Sequence, residues 1–212
     1  MSELFSQSLR DVLRVSASSE PVPGGGSIAA ISVGFAASMA AMVCNLTIGK
    51  KRYKDVESQV ISIRDRAMGL MNRAEDLVEA DMAHFKRFME CYKMPAGTDE
   101  EKERREHLIQ EALKGATQTP LDIARAALEV LELVDELAPI GSKMAISDAG
   151  VAAYLADAGL RAALLNVDIN VPQVTDRAFA SRALEDKNGL LEQAAKLKDS
   201  SMSVVTRRLG GS

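Results

Sequence analysis

The sequence predicts an all-α bundle of six or seven helices. Three observations carry this. Apolar residues recur at spacings of three and four along nearly the whole chain. Four of the six prolines fall in short breaker clusters, at 21–26, 94–97 and 138–141. No strand pair can be read between them. Aromatic residues make up only 4% and Trp is absent, so the core is built from Ala, Leu, Val, Ile and Met, which suits close-packed helices.

The elements follow in order. Residues 4–18 carry Phe5, Leu9, Val12 and Leu13 on one face of a short helix. A Pro-flanked triple glycine, Gly24, Gly25 and Gly26, then opens a helix with Ser27 as its N-cap. That helix has no charged residue from 27 to 48, and Lys50, Lys51 and Arg52 close it. It is long enough to span a bilayer, but it is dominated by Ala, Ser and Gly and inserts poorly. The expectation is a buried central helix, whose small residues Ala30, Gly34, Ser38 and Ala41 let neighbours approach. Residues 53–93 read as one very long helix. Thr98 and Glu101 form a capping box that starts a charged helix over 99–114. Thr119-Pro120 starts the next, with Pro at the first helical position and a stripe of Leu121, Ala124, Leu128, Leu131 and Val134. Ser147 caps an Ala-rich helix to about residue 165. Residues 166–172 extend that helix or form a loop. Asp176 starts the last helix, to about 209, with Asn188-Gly189 as a break point. The whole, 1–212, reads as a single domain.

A formal net charge of −4 makes nucleic acid a poor partner. Cys44 and Cys91 sit in apolar stretches without motif spacing and read as buried thiols in a reducing compartment. The N-terminus lacks the apolar core of a signal peptide, so the expectation is a cytoplasmic protein without a membrane partner.

Several residue sets carry chemistry. Along the long helix, Val56, Val60, Ile63, Ala67, Leu70, Ala74 and Leu77 alternate at four and three. The same count continues to Asp81, His84 and Phe88. A carboxylate on a core stripe is costly unless it is paired or lines a cavity, and desolvation raises its pKa as a general acid or base requires. The alternative is that the helix end leaves the core. His84, one turn on, is placed to pair with Asp81 or simply to pack. The glycines leave backbone N–H groups free to face an anion or ligand, or merely form a tight turn. Ser147-Asp148 is a second constellation, although Asp148 also suits a helix dipole. Asn166 and Asn170 are placed to hydrogen-bond a planar heterocycle or to cap their helix. The histidines, His84 and His107, have no ligand spacing, so no metal is expected.

These pieces resemble the folate cyclodeaminase/cyclohydrolase family. The resemblance lies in PVPGGGS, MVCNLTIGKKRY, EADMAHF, TDEEK, IQEALKGAT, Pro120-Leu121, ISDAGVA, AGLRAALLNVDIN and DRAFA, in family order along nearly the whole chain. The wording is closer to the stand-alone bacterial cyclohydrolase branch than to the fused cyclodeaminase. The resemblance implies an all-α homodimer that acts on tetrahydrofolate derivatives, with or without a polyglutamate tail, and that needs no cofactor. It implies hydrolysis of 5,10-methenyltetrahydrofolate to 10-formyltetrahydrofolate, with formiminotetrahydrofolate cyclodeamination as the alternative. A catalytically silent folate-binding or structural helical dimer is a third. It puts the catalytic aspartate at Asp81, with Asp148 the next candidate. Gly24, Gly25, Gly26, Ser27, Lys50, Lys51, Tyr53, Ser147, Asn166 and Asn170 are the substrate-binding candidates, the lysines for an anionic folate tail. One cleft, at a dimer interface, is expected to be lined by the glycine turn, the Lys50–Tyr53 segment and the Asp81 turn. The chain departs from the family where Gly141-Ser142 replaces a usual Gly-Asn.

Overall fold

Helix ends and close contacts define the architecture of the computed structural model, which describes residues 4–210. Among the described residues there are six α-helices: α1 (Leu9–Ser16), α2 (Gly25–Asn45), α3 (Glu57–Tyr92), α4 (Asp99–Leu137), α5 (Ile146–Asn170) and α6 (Arg177–Leu209). Short 3₁₀ turns at Lys51–Val56, Lys143–Ala145 and Val171–Gln173 join some of them. No strand occurs among the described residues. The all-α expectation is met.

Neighbouring helices alternate in direction. Gly34 of α2 faces Ala74 of α3, and Arg73 of α3 pairs with Glu129 of α4. Gly159 of α5 lies against Val33 and the Ala29 carbonyl, while Gly141, just before α5, lies against Val43. Thus α5 runs antiparallel to α2. Lys187 of α6 meets Asp168 near the end of α5. The second half of α4, from Leu121 to Leu137, is the hub. It touches α2, α3, α5 and α6, and Leu121, Ile123, Leu131, Leu133 and Leu137 are among its buried residues. The Ala-rich α2 was expected at the centre. It packs on α3, α4 and α5 but leaves one face open, along Ile28, Phe35, Met42 and Leu46. It is the one helix, among the described residues, long and apolar enough to cross a membrane.

Local chemistry explains most boundaries and corrects several. The Thr98 capping box forms as expected: the Thr98 hydroxyl accepts from Glu101 N–H, and the Glu101 carboxylate accepts from Thr98 N–H at 3.1 Å. Asp176 caps α6 by accepting from Phe179 N–H at 3.0 Å, and α6 runs on through Asn188-Gly189. The long helix starts at Glu57, after a 3₁₀ segment, rather than at residue 53. Residues 166–170 extend α5, and Ala145, not Ser147, stands at its N-cap.

The largest departure is α4, which the sequence divides in two at Thr119-Pro120 and the structure keeps whole. Proline in a helix removes the donor to the carbonyl four residues back. Here that carbonyl belongs to Ala116. The Asn170 side chain, from the end of α5, donates to it at 2.8 Å. A polar group that Pro120 orphans is thereby satisfied from another helix, and the charged and apolar halves remain continuous.

Candidate active site

Asp81 finishes the N-terminus of α2. Gly24 stands at the N-cap and has no side chain to offer the free N–H groups. Asp81 supplies the acceptor from α3. The Ser27 hydroxyl donates to Asp81 Oδ2 at 2.7 Å, and the Ser27 backbone N–H also bonds the carboxylate. Ser27 is fully buried. It is not the helix cap that the sequence suggests, because the helix begins at Gly25 and the hydroxyl is committed to Asp81.

The triple glycine now has a specific cause. A methyl group at Gly26 would overlap the Asp81 carboxylate, whereas nothing lies near the corresponding position at Gly25. Only the absence of a side chain lets α3 and the start of α2 meet here. Burial pushes the Asp81 carboxyl above its ordinary value of 3.8; the Ser27 hydroxyl, the Ser27 N–H and the nearby His84 oppose this less strongly. The apolar stripe of α3 therefore does not leave the core at Asp81. It meets a helix N-terminus instead of another apolar side chain.

One turn further, His84 Nδ1 lies 2.7 Å from Thr119 Oγ1. The Thr119 hydroxyl donates to the Gly115 carbonyl at 3.2 Å. The imidazole rests on Gly115, where a Cβ would come within 3.0 Å of the ring. Asn166 and Asn170 lie at this same end of the bundle. The Asn170 amide is spent on Ala116, and the Asn166 amide turns back to Ala162 and Ala163 of its own helix at 3.4 Å. One residue on from Asp81, which is not itself in the wall, Met82 joins Phe85 and Met89 in lining an open groove of about 490 Å³, with Pro21 and Val22 and with the charged Glu79, Glu90, Lys86 and Lys93.

The other candidates gather at the far end of α2. Lys50 Nζ reaches Ser142 Oγ at 3.4 Å. Ser142 is buried and donates its N–H to Thr47 Oγ1 at 2.8 Å. Tyr53 accepts from Lys143 N–H at 3.0 Å; that bond is the main reason its hydroxyl is more acidic than an ordinary tyrosine. Ser147 and Asp148 lie in the first turn of α5, also at this end. Arg208, in the last turn of α6, donates to the Ala138 and Gly141 carbonyls and fixes the turn that carries Ser142. Lys51 is exposed.

The 21 residues of α2, at about 1.5 Å each, hold the two ends roughly 30 Å apart. Within the chain, Asp81 and the glycines form one cluster, and Lys50, Tyr53, Ser147 and Asp148 form another. They do not share a cleft. Sequence reasoning did not find Thr119, Gly115 or Arg208. Gly115, mid-helix and five residues before Pro120, was the available signal. Among the described residues, no group of three or more His, Cys, Asp and Glu side chains is arranged to hold a metal.

Known proteins resemble this chain along most of its length. Residues 8–189 match the formiminotransferase-cyclodeaminase family. The methenyltetrahydrofolate cyclohydrolase of Methylorubrum extorquens is 45% identical over 183 residues, 86% of this chain and 88% of that protein. The formimidoyltransferase-cyclodeaminase of Mus musculus is 31% identical over 191 residues, 90% of this chain but 35% of the mouse protein. The crystal structure of formiminotetrahydrofolate cyclodeaminase from Thermotoga maritima matches with a TM-score of 0.88 at 28% identity, over 98% of this chain and 100% of that one. The family match takes in the glycine turn, Asp81, the Lys50 segment and α5, and the fold agrees with a solved relative from end to end; the chain belongs to the formiminotransferase-cyclodeaminase family.

Proposed function

We propose that this protein hydrolyses 5,10-methenyltetrahydrofolate to 10-formyltetrahydrofolate, with Asp81 as the general acid and base. The observation that carries the proposal is a half-buried carboxylate with raised pKa at a helix N-terminus, beside an open groove, in a chain 45% identical to a methenyltetrahydrofolate cyclohydrolase. The substrate carries a cationic carbon between two nitrogens. A carboxylate faces such a cation favourably in a partly desolvated site. As the water oxygen bonds to that carbon, Asp81 takes one water proton. It then returns the proton to the nitrogen that leaves, while the hydroxyl proton is lost and the formyl group forms. A carboxyl poised above its ordinary range suits both transfers. The apolar faces of Met82, Phe85 and Met89 provide room for flat folate rings. Water and side chains suffice for these steps, and no cofactor is invoked.

The working unit is proposed to be a homodimer. Ile28, Phe35, Met42 and Leu46 make an exposed apolar seam on α2 with heptad-like spacing. Val151, Tyr154, Leu165 and Ile169 continue it on the adjacent, antiparallel α5. A two-fold axis through the middle of α2 makes this face self-complementary. It sets the Asp81 end of one protomer against the Lys50 end of its partner. Lys50, Lys51, Tyr53, Ser147 and Asp148 then complete the site across the interface, and the lysines meet an anionic glutamate tail.

Cyclodeamination is the second reading, favoured by the Thermotoga relative's fold and name. The deciding experiment is a spectrophotometric assay with methenyltetrahydrofolate and, separately, formiminotetrahydrofolate, each corrected for the rate without enzyme. Turnover of the first supports the proposal. Turnover of the second alone transfers it to cyclodeamination, and turnover of neither identifies a silent folate-binding or structural dimer.

A further inference from the structure

Hydrolysis of a cationic carbon releases one net proton, and Asp81 alone cannot dispose of both water protons at once. We propose that His84 is a second catalytic residue, which carries the net proton from the substrate hydroxyl to solvent. This rests on the cyclohydrolase reading above and deepens it.

The hydrogen-bond chain behind the ring fixes its chemistry. A threonine hydroxyl has one hydrogen. That of Thr119 is directed at the Gly115 carbonyl at 3.2 Å. On that ground we assign the ring proton to Nδ1, with the Thr119 oxygen 2.7 Å away as its acceptor. Nε2 is left with its lone pair. No hydrogen bond to Nε2 is formed, and among the described residues no buried side-chain nitrogen or oxygen lacks a partner. Nε2 is consequently open to solvent. Gly115 lies along the Cδ2–Nε2 edge of the ring, where an added Cβ would come within 3.0 Å of Cδ2 and 3.2 Å of Nε2, so only glycine leaves that edge uncovered. His84 and Asp81 are three residues apart on α3, which puts them on one face, with Cβ atoms about 5–6 Å apart. A fixed imidazole thus offers a nitrogen without a hydrogen-bond partner one turn from the carboxylate.

The steps balance. Asp81 carboxylate takes the first water proton as the C–O bond forms, giving a neutral carbinolamine. The C–N bond then breaks, and its electron pair goes to nitrogen, which takes the proton back from Asp81. In the same collapse, His84 Nε2 takes the hydroxyl proton as the C=O bond forms. The imidazolium then gives that proton to water, and both side chains return to their starting states.

The test uses His84→Gln and His84→Ala in the full-length protein, with methenyltetrahydrofolate. Gln keeps a donor for Thr119 but cannot carry a proton. Its kcat should fall by roughly 100-fold with KM little changed. His84→Ala should fall at least as far and recover when imidazole is added to the buffer, with a saturating dependence on imidazole concentration. A packing role would not respond to imidazole. Wild-type kcat in His84→Gln, or a loss in His84→Ala that imidazole does not restore, overturns the proposal for His84 while leaving the cyclohydrolase reading intact. Absence of turnover by the wild-type protein overturns both.

Discussion

Asp81 performs two tasks that a single substitution separates. It terminates α2, and it presents a carboxylate of raised pKa. Asp81→Asn keeps the acceptor for Ser27 but removes the charge and the proton. The expected kcat is roughly 100- to 10,000-fold lower, in a protein with an unchanged circular dichroism spectrum. Stability should move the other way. A carboxyl whose folded-state pKa lies above its unfolded value favours folding most at acid pH and loses that contribution as pH rises through the folded value. The melting temperature of Asp81→Asn relative to wild type should therefore climb as pH rises above 3.8, the group's ordinary value, and then level off. A flat difference across a pH series would show that the carboxyl is not perturbed. Gly26→Ala displaces the same carboxylate by overlap and should reduce kcat comparably without touching a titratable group. Asp81 was legible because seven apolar residues predicted the face it occupies. Its hydrogen-bond partner was not, since Ser27 reads as a cap until the helix is seen to begin two residues earlier.

Pro120 and Asn170 are the pair to consider among the elements. Proline in a helix interior costs about 3 kcal/mol, and part of that cost is the orphaned carbonyl of Ala116. Asn170→Ala should destabilise the protein by about 1–3 kcal/mol, the cost of leaving a half-buried polar group unpaired. In a Pro120→Ala background a backbone N–H is restored, and the same Asn170 change should cost much less. Urea unfolding of the four proteins measures the coupling; additive effects would show that Asn170 does not serve Pro120. Helix identity was readable throughout from periodicity and capping residues. The continuity of α4 was not, because the donor that rescues Pro120 arrives from fifty residues away. For the same reason Asn170 read as either a ligand contact or a helix cap: its sequence neighbourhood does not show that its amide is spent on Ala116.

At the scale of the molecule, the bundle places the two halves of the candidate site at opposite ends of α2. A protein with Lys50→Ala and Lys51→Ala should show a raised KM more than a lowered kcat, with the larger loss on polyglutamyl substrate. Mixed with Asp81→Asn protein under conditions that exchange subunits, it should regain activity. A two-fold dimer formed from the two mutants contains one intact site, so a random mixture should approach about a quarter of wild-type activity. No recovery, with exchange verified by mass, would place each site within one chain. Phe35→Glu, at the middle of the exposed seam, should give a folded monomer by sedimentation with little activity. The sequence picked out candidate segments but not their separation, which follows from the uninterrupted length of α2. The clamp made by Arg208 has a further consequence, for local opening. The turn carrying Ser142 is anchored from the last turn of α6, by donation to the Ala138 and Gly141 carbonyls. The Lys50 end is therefore closed only while α6 is docked along its whole length. Fraying of that last turn loosens Ser142 first and leaves the Asp81 cluster, at the other end of α2, intact.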